Sequence, residues 1–211
     1  MNAATLPRLH VLILAAGFSS RLGRPKPLVR VRAFSLLRRT LTLVARFAPA
    51  KIVVVIPRRA ARYRIEARGF KVVFAANPRR GDGLSSSVRR GISLARCSPA
   101  LLLLPVDMAA LQERDVARLI ARWRSVRRCV IARRIAQRGG TARGGVPLIL
   151  PRWLYSRALE LTGDAGLRDL VNGLPAPQRV LLNLPSAALD VDTPQDLRAA
   201  RRRLRAFGAR L

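Results

Sequence analysis

The sequence predicts an α/β fold in which a mostly parallel sheet carries helices on both faces. Four short apolar runs are each bounded by charged residues, Pro or Gly, and they cover residues 10–16, 51–57, 71–76 and 100–106. Such runs are typical of strands buried on both faces of a parallel sheet. Between them lie amphipathic patterns, with apolar residues three and four apart, at residues 35–47, 58–69 and 83–96. This alternation indicates a Rossmann-like open sheet with right-handed crossovers.

The second half of the chain is predicted to continue the same domain less regularly. Further strands are expected at residues 129–134, 146–151 and 179–185. Further helices are expected at residues 111–125, 152–161 and 163–171. Asp164 would lie near the N-terminus of the third of these helices, and a Gly-rich stretch at residues 138–145 indicates a flexible hairpin or lid. Thr193 is expected to cap a final helix with Pro194 in its first position. With no repeat or linker in the sequence, residues 1–211 are predicted to form one domain.

The chain is strongly basic, with a formal net charge of +30 from 41 Lys and Arg against 11 Asp and Glu. Such a charge fits nucleic-acid binding, or a GC-rich genome that encodes Arg wherever a solvated cation is tolerated. The arginines are spread along the whole chain and only 5% of the residues are aromatic. Since single-strand binding needs aromatic stacking platforms, this composition favours the second interpretation. We therefore expect no specific nucleic-acid partner.

The sequence also predicts no membrane association. No apolar run approaches the roughly 18–20 residues of a membrane-spanning helix. The first residues lack a basic start, so we expect no signal peptide and a cytoplasmic location. Cys97 and Cys129 lie far apart without the spacing of metal ligands, and we expect them to be reduced thiols.

The segment LILAAGFSSRLGRPKPLV, residues 12–29, predicts a phosphate-binding turn directly after the first strand. Ligands of doubly wound sheets bind at the carboxyl ends of strands, and glycine lets backbone N–H groups approach phosphates closely. Ser19 and Ser20 offer hydroxyl groups, while Arg21 and Lys26 offer positive charge. Lys26 is one of three lysines in an arginine-rich chain, which indicates a need for a compact ammonium group. The alternative is an ordinary Gly-rich turn with surface cations.

Three of the rare acidic residues occur where metal ligands are expected. Asp107 follows a buried strand, where an unpaired carboxylate is costly. Asp190 and Asp192 alternate along an extended segment, so both are expected to face the same side. Because Mg²⁺ binds one or two carboxylates together with phosphate oxygens, these acids are candidate magnesium ligands. The alternative is that Asp107 and Asp192 cap the helices that follow them.

Five segments resemble the MobA/MocA-like nucleotidyltransferases, which include the molybdenum cofactor guanylyl- and cytidylyltransferases. Residues 14–26 match the family pattern L-A-A-G-x-S-x-R-x-G-x-x-K throughout. NPRRGDGLSSSVRRGI, at residues 77–92, and LPVDMAAL, at residues 104–111, resemble its next two segments. GDAGLRDLV and LDVDTPQDL resemble the C-terminal blocks of the cytidylyltransferase-like branch. The matches follow the expected order from residue 14 to residue 197.

The resemblance implies a GT-A type fold, as in nucleotide-diphospho-sugar transferases, and a nucleotidyl-transfer reaction that releases pyrophosphate. The residues that it assigns to nucleotide binding are Leu14, Ala15, Ala16, Gly17, Ser19, Arg21, Lys26, Asn77, Gly83 and Ser87. Arg21 and Lys26 would also act in catalysis by stabilising charge at the α-phosphate. Asp107 and Asp192 would bind Mg²⁺.

The resemblance further implies that residues 1–110 bind the nucleotide and residues 111–211 the acceptor. The expected donor is an NTP, with CTP favoured, and the expected acceptor is molybdopterin, for the maturation of a molybdenum hydroxylase. The chain departs from the family pattern at two positions: Ala109 stands in place of Pro and leaves Asp107 in place, and Val146 stands in place of a common His and leaves the acceptor open. A sugar, polyol or lactate phosphate is the alternative acceptor, and a non-catalytic cofactor-binding protein is the alternative class. His10 is expected to be structural.

Overall fold

The computed structural model describes residues 9–137, 140–163 and 166–206. Nine strands are described, which in chain order are β1 (Leu9–Leu14), β2 (Arg30–Val31), β3 (Phe34–Ser35), β4 (Lys51–Pro57), β5 (Val73–Asn77), β6 (Ala100–Pro105), β7 (Val130–Ala136), β8 (Ala142–Pro151) and β9 (Arg179–Leu182). Seven of them form one sheet in the order β5-β4-β1-β6-β8-β7-β9, and β2 pairs with β3 in a small antiparallel hairpin. Strand β8 is antiparallel to β6 and β7, while the other neighbours in the sheet are parallel. The predicted mostly parallel sheet is confirmed.

Helices cover both faces of this sheet. The α-helices in the described ranges are α1 (Leu36–Ala45), α2 (Ala61–Glu66), α3 (Leu84–Ala95), α4 (Glu113–Ser125), α5 (Tyr155–Leu159), α6 (Leu167–Asn172) and α7 (Pro194–Ala206). Helices α1, α4 and α7 pack on one face, where Leu41 and Val116 are fully buried. Helices α3, α5 and α6 pack on the other face around Ile92 and Val171. None of the described helices has both the length and the apolar content that crossing a lipid bilayer requires.

The predicted flexible hairpin at residues 138–145 is shorter in the structure. Residues 142–145 belong to β8 and pair with β7. The glycines at the end of this stretch serve packing rather than flexibility. A Cβ added to Gly145 would lie 2.4 Å from Ile135 Cδ1, and a Cβ added to Gly144 would be crowded from three sides. The prediction of a flexible hairpin is therefore wrong for residues 142–145, where glycine allows neighbouring side chains to pack closely against the strand.

Other departures from the predicted elements are small. The predicted helix at residues 152–161 is divided into a 3₁₀ turn, Arg152–Leu154, and the five-residue α5. The two-residue strands β2 and β3 are too short to produce a periodic pattern. Four residues of the predicted hairpin and helix lie outside the described residues, namely Arg138, Gly139, Asp164 and Ala165.

The single histidine and the two cysteines are not part of the predicted nucleotide site. His10 lies near the start of β1, and its backbone N–H donates to the Ser98 hydroxyl at 3.1 Å. This position is at the opposite end of β1 from the predicted nucleotide loop. Cys97 and Cys129 are free thiols.

Parallel pairing brings two loops together at one end of the sheet. Leu14, the last residue of β1, pairs with Val55 of β4 on one side and with Pro105, the last residue of β6, on the other. The loops after β1 and β6 therefore leave the sheet side by side. The predicted nucleotide loop and Asp107 are placed next to each other by this register.

The C-terminal segment is attached to the loop after β6 by a backbone hydrogen bond. The Val191 N–H donates to the Asp107 carbonyl at 3.0 Å. Just beyond, the Thr193 hydroxyl accepts from the Asp196 N–H at 3.2 Å, and the Asp196 carboxylate accepts from the Thr193 N–H at 2.8 Å. This reciprocal pair is a capping box with Asp in place of Glu, and it confirms Thr193 as the cap of α7. Asp192 is thereby fixed beside Asp107.

Gly91→Val tests the close packing of α3 against β1. A Cβ at Gly91 would lie 2.2 Å from Leu12 Cδ1, and Leu12 is fully buried in the core. We expect overpacking to lower the free energy of unfolding by about 1–3 kcal/mol, measured by thermal and denaturant unfolding. Ser93→Val is the control, because Ser93 is exposed on the same helix and the variant introduces the same β-branched side chain. Equal stability of the two variants would contradict the packing.

Candidate functional site

The loop after β1 is a folded turn rather than a flexible segment. The Ala15 N–H donates to the Val55 carbonyl at 2.9 Å, which continues the sheet by one residue. Ser19 and Gly23 have left-handed backbone conformations, with φ of 57° and 69°, on either side of a 3₁₀ turn. The Ser19 hydroxyl accepts a hydrogen bond from the Lys26 N–H at 3.0 Å. Ser19 therefore fixes the point from which the Lys26 side chain extends.

The Lys26 ammonium lies between the carboxylates of Asp107 and Asp192. Its Nζ is 3.0 Å from Asp107 Oδ2 and also donates to Asp192 Oδ1. An Arg21 guanidinium nitrogen lies 3.1 Å from the other oxygen, Asp192 Oδ2. The Lys26 side chain is 17% exposed and that of Asp107 is 21% exposed, so this ion pair is shielded from bulk water, whereas Arg21 is 71% exposed. The four predicted charged residues thus meet at one place.

The charge state of Lys26 is set by its two acidic neighbours. Burial by itself lowers the pKa of Lys26, but the charge of Asp107 and hydrogen bonds to Asp192 and Asp107 outweigh it, so the pKa is raised above the ordinary value of 10.5. Lys26 is therefore an ammonium ion at neutral pH. Because the pKa is raised on folding, the ion cluster stabilises the fold below the unfolded pKa and loses this effect as the pH rises through the folded pKa.

The helix-capping alternative does not account for Asp107 or Asp192. Thr193 caps α7, and the cap position of α4 is occupied by Gln112. The carboxylates of both aspartates are instead directed at Lys26. Their positions in the sequence reflect the ion cluster and not helix termination.

The N-terminus of α3 forms another wall of the site. Gly83 precedes the helix with φ of 83°, a backbone conformation that favours glycine. Asn77 is buried; its side-chain N–H groups donate to the hydroxyls of Ser86 and Ser87 at 2.8 and 3.0 Å, and its carbonyl oxygen accepts from the Arg79 N–H at 2.9 Å. Asn77 therefore holds the turn before α3 in place, and its contact with a nucleotide stays a prediction.

The loop, the start of α3 and the end of β6 enclose a cleft of about 360 Å³. Nine of the twelve predicted site residues line it, namely Leu14, Ala15, Ala16, Gly17, Ser19, Lys26, Gly83, Ser87 and Asp107. Arg21 and Asp192 do not line the cleft themselves. Arg21 donates to Asp192, and Asp192 accepts a hydrogen bond from Lys26, which does line it. The first N–H groups of α3 provide a site for negative charge, because a helix N-terminus has unsatisfied donors and a positive dipole end.

Sequence reasoning missed two side chains that line the cleft. Phe18 is 59% exposed, and the guanidinium carbon of Arg80 lies 4.3 Å from the centre of its ring. Phe18 occupies a variable position of the family pattern, and Arg80 is one of many arginines, so neither carried a signal in the sequence. Together they form a flat cationic–aromatic surface at the cleft.

The residues around Lys26 fit a divalent cation whose coordination is completed by a ligand. The carboxylates of Asp107 and Asp192 already converge on one positive charge, the Lys26 ammonium. Asp190 is directed at Arg133, with 3.9 Å between the charged atoms. Within residues 9–137, 140–163 and 166–206, no group of three or more His, Cys, Asp and Glu side chains is arranged to hold a metal ion. A Mg²⁺ ion here would need phosphate oxygens as further ligands, as Mg²⁺ sites commonly have.

A cleft at the carboxyl ends of parallel strands, lined by a glycine-containing turn and a helix N-terminus, is typical of nucleotide-binding α/β proteins. The chain belongs to the family of MobA-like NTP transferase domains, whose profile matches residues 11–180. The matched region contains most of β1, the loop with Lys26, and Asp107. The family resemblance inferred from the sequence motifs is confirmed, and with it the class of nucleotidyltransferases.

One curated relative is similar to part of the chain. It is the bifunctional IPC transferase and DIPP synthase of Rubrobacter xylanophilus, which is 46% identical over 81 residues. The match covers 35% of this chain and 19% of the relative, so it spans about a fifth of that protein's length.

Two solved structures share the fold over nearly the whole chain. Rv0371C of Mycobacterium tuberculosis H37Rv, solved as a complex with manganese, superposes with a TM-score of 0.68 at 25% identity and covers 94% of this chain and 99% of that one. The 2-C-methyl-D-erythritol 4-phosphate cytidylyltransferase of Thermus thermophilus superposes with a TM-score of 0.65 at 24% identity, again covering 94% and 99%. The second likeness is one of fold alone.

Lys26→Met tests whether the ammonium holds the two carboxylates together. Without it, the ionised carboxylates of Asp107 and Asp192 would repel each other in the folded state. The resulting loss of stability should appear above the unfolded pKa of about 4 and increase with pH until both groups are ionised. We expect the Tm difference from the wild type to widen between about pH 4 and pH 8.

Lys71→Met is the matched control for this variant, because Lys71 is exposed. It removes the same charge and introduces the same side chain, and its Tm should follow that of the wild type at every pH. A Tm difference for Lys26→Met that does not change with pH would contradict the role of the ion cluster.

Proposed function

We propose that the protein is a Mg²⁺-dependent nucleotidyltransferase that transfers CMP from CTP to the phosphate of molybdopterin and releases pyrophosphate. The observation that carries the proposal is the Lys26 ammonium, which is shielded from water, shared by Asp107 and Asp192, and part of a cleft suited to phosphates. Membership of the MobA-like NTP transferase family supports the class of reaction. The resemblance of the C-terminal segments to the cytidylyltransferase-like branch favours CTP as the donor.

The nucleotide would bind between the loop after β1 and the start of α3. Backbone N–H groups of residues 16 and 17 and of the first turn of α3 would donate to its phosphates. Ser87 and Ser19 would add hydroxyl groups to the same cleft, which both residues line. The ring of Phe18, backed by Arg80, offers a surface on which a base can stack.

Catalysis would rest on alignment and charge rather than on a protein nucleophile. A phosphate oxygen of the acceptor would attack the α-phosphorus, forming a new P–O bond while the bond to the β-phosphate breaks and pyrophosphate leaves. A phosphate monoester is already ionised near neutral pH, so no general base is needed. Lys26 and Arg21 would stabilise the negative charge that develops at the α-phosphate.

Asp107 and Asp192 would hold Mg²⁺, which when bound neutralises charge on the phosphates. Both carboxylates now accept hydrogen bonds from Lys26. Once the carboxylates bind a metal, the Lys26 ammonium would be free to donate to a phosphate oxygen. The same residue would thus act as a counter-ion to the two carboxylates and, in the complex with metal and nucleotide, as a phosphate ligand.

We further propose that residues 1–110 bind the nucleotide and residues 111–211 the acceptor, with Val146 of β8 at the acceptor side of the cleft. A phosphorylated sugar or polyol is the second candidate acceptor. It is favoured by Val146 in place of the family's common His, and the Rubrobacter relative is named for a different transfer, that of an IPC transferase. A cytoplasmic location and delivery to a molybdenum hydroxylase belong to the molybdopterin proposal.

Nucleotide binding is tested by the Tm of the purified protein with CTP, GTP, ATP and UTP, each with and without Mg²⁺. A ligand at about 100 times its Kd stabilises a fold by roughly 2.7 kcal/mol, a rise of several degrees for a chain of this size. We expect the largest rise with CTP, in the presence of Mg²⁺, and a smaller rise for Asp107→Asn. No rise with any nucleotide would contradict the proposal, and an undiminished rise for Asp107→Asn would remove Asp107 from the metal site.

Transfer is tested by pyrophosphate release from CTP with either molybdopterin or a polyol phosphate as acceptor. We expect release with molybdopterin and a fall in kcat of about 100-fold or more for Lys26→Met, because a donor to the developing charge is lost. Lys71→Met should retain the wild-type kcat. Release with the polyol phosphate alone would select the second candidate. Nucleotide binding without release from any acceptor would indicate a cofactor-binding protein instead.

A further inference from the structure

A second cavity, of about 550 Å³, lies beside the loop that carries Asp107. It is enclosed by α1, the turn between β2 and β3, residues 108–114 and Leu204 of α7. It is larger than the nucleotide cleft, and the two have no lining residue in common. Its volume is within the usual range of small-molecule sites, which is roughly 300–1,000 Å³.

The charges around this cavity are unbalanced. Its charged lining residues are Arg32, Arg39, Arg46, Arg114 and Glu113. Glu113 is engaged by Arg46, with 2.7 Å between their charged atoms. In the described parts of the chain, neither Arg32 nor Arg39 has an acidic partner within ion-pair distance. The cavity therefore presents guanidinium groups whose charge is not neutralised by the protein residues described.

Arg39 is the most unusual of these residues. Its Nε–H is buried without a hydrogen-bond partner among the described residues, and its terminal nitrogen makes only a long contact, 3.4 Å, with the Ala109 carbonyl. Burial, followed by the charge of Arg32, lowers the pKa of Arg39. A partly buried guanidinium with an unused donor and a like charge nearby is unfavourable, because burial of charge is costly unless it is paired. An anion in the cavity would remove this cost.

Arg32 is positioned at the cavity by the two-residue turn between β2 and β3. Its φ is 61°, in the left-handed region that two-residue hairpin turns require. One guanidinium nitrogen donates to the Leu204 carbonyl at 3.0 Å, which secures the side chain across the opening toward α7. This observation is independent of the unpartnered Nε of Arg39.

We propose that this arginine-lined cavity binds an organic phosphate that has an apolar body. The planar guanidinium groups of Arg32 and Arg39 match phosphate oxygens through paired N–H donors. Apolar side chains supply the rest of the wall, and they include Phe34, Leu36, Leu43 and Met108. The N-terminus of α4 also lies there, and its cap residue Gln112 makes no side-chain capping bond. The proposal does not depend on the identity of the transferase reaction.

The test is a calorimetric titration with 1-naphthyl phosphate, and with 1-naphthol and inorganic phosphate as its two halves. We expect naphthyl phosphate to bind more tightly than either half. Its affinity should fall by about tenfold or more in Arg39→Met, because a charge-assisted hydrogen bond is lost. Arg32→Asn should show the same loss, and since Asn tolerates the left-handed conformation, this variant retains the local backbone.

Two control variants separate this site from other sources of binding. Arg157→Met removes an exposed charge on α5, on the opposite face of the sheet, and should bind naphthyl phosphate as the wild type does. Lys26→Met, at the nucleotide cleft, should also bind it normally. Loss of binding in Lys26→Met with retention in Arg39→Met would place the ligand in the nucleotide cleft and overturn the proposal. Absence of binding, or equal binding of 1-naphthol, would overturn it as well.

Discussion

The site depends on one interaction, the sharing of the Lys26 ammonium by Asp107 and Asp192. The three residues come from distant parts of the chain, and two hydrogen bonds to backbone groups position them. Ser19 holds the Lys26 N–H, and Val191 joins the Asp192 segment to the Asp107 carbonyl. Two carboxylates directed at one atom would repel each other without a cation between them. The fold therefore supplies its own cation, and this cation is chemically suited to move to a phosphate when a metal replaces it.

The ion pairs around Lys26 also bear on how a protein with a net charge of +30 could bind anions selectively. The overall field attracts polyanions of every kind, so discrimination must arise from local geometry. At the cleft beside Lys26, Asp107 and Asp192 offset the nearby cations, and in the proposed function they would hold a divalent metal. At the second cavity, Arg32 and Arg39 lack such compensation among the described residues, and a single anionic group is the ligand that fits. If both proposals hold, the two clefts of this basic protein would favour different anions.

Local patterns predicted what local physics determines. Apolar runs and helical spacing located the strands and helices of the first half, and the motif at residues 14–26 identified Lys26, because these signals lie within one short segment. Long-range packing decided the rest. Residues 142–145 belong to a strand, and Gly144 and Gly145 are needed in it because neighbouring side chains occupy the space of a Cβ. Asn77 supports the turn before α3, and Phe18 lines the cleft. Both positions depend on contacts between segments, which no local sequence pattern predicts.

The most direct test of the Lys26 centre is a crystal structure of the protein with CTP and Mn²⁺, in which anomalous scattering locates the metal. We expect the metal on the carboxylates of Asp107 and Asp192 together with phosphate oxygens, and the Lys26 ammonium within hydrogen-bonding distance of a phosphate. A metal bound away from both aspartates, with Lys26 still between the two carboxylates, would contradict the role proposed for this centre.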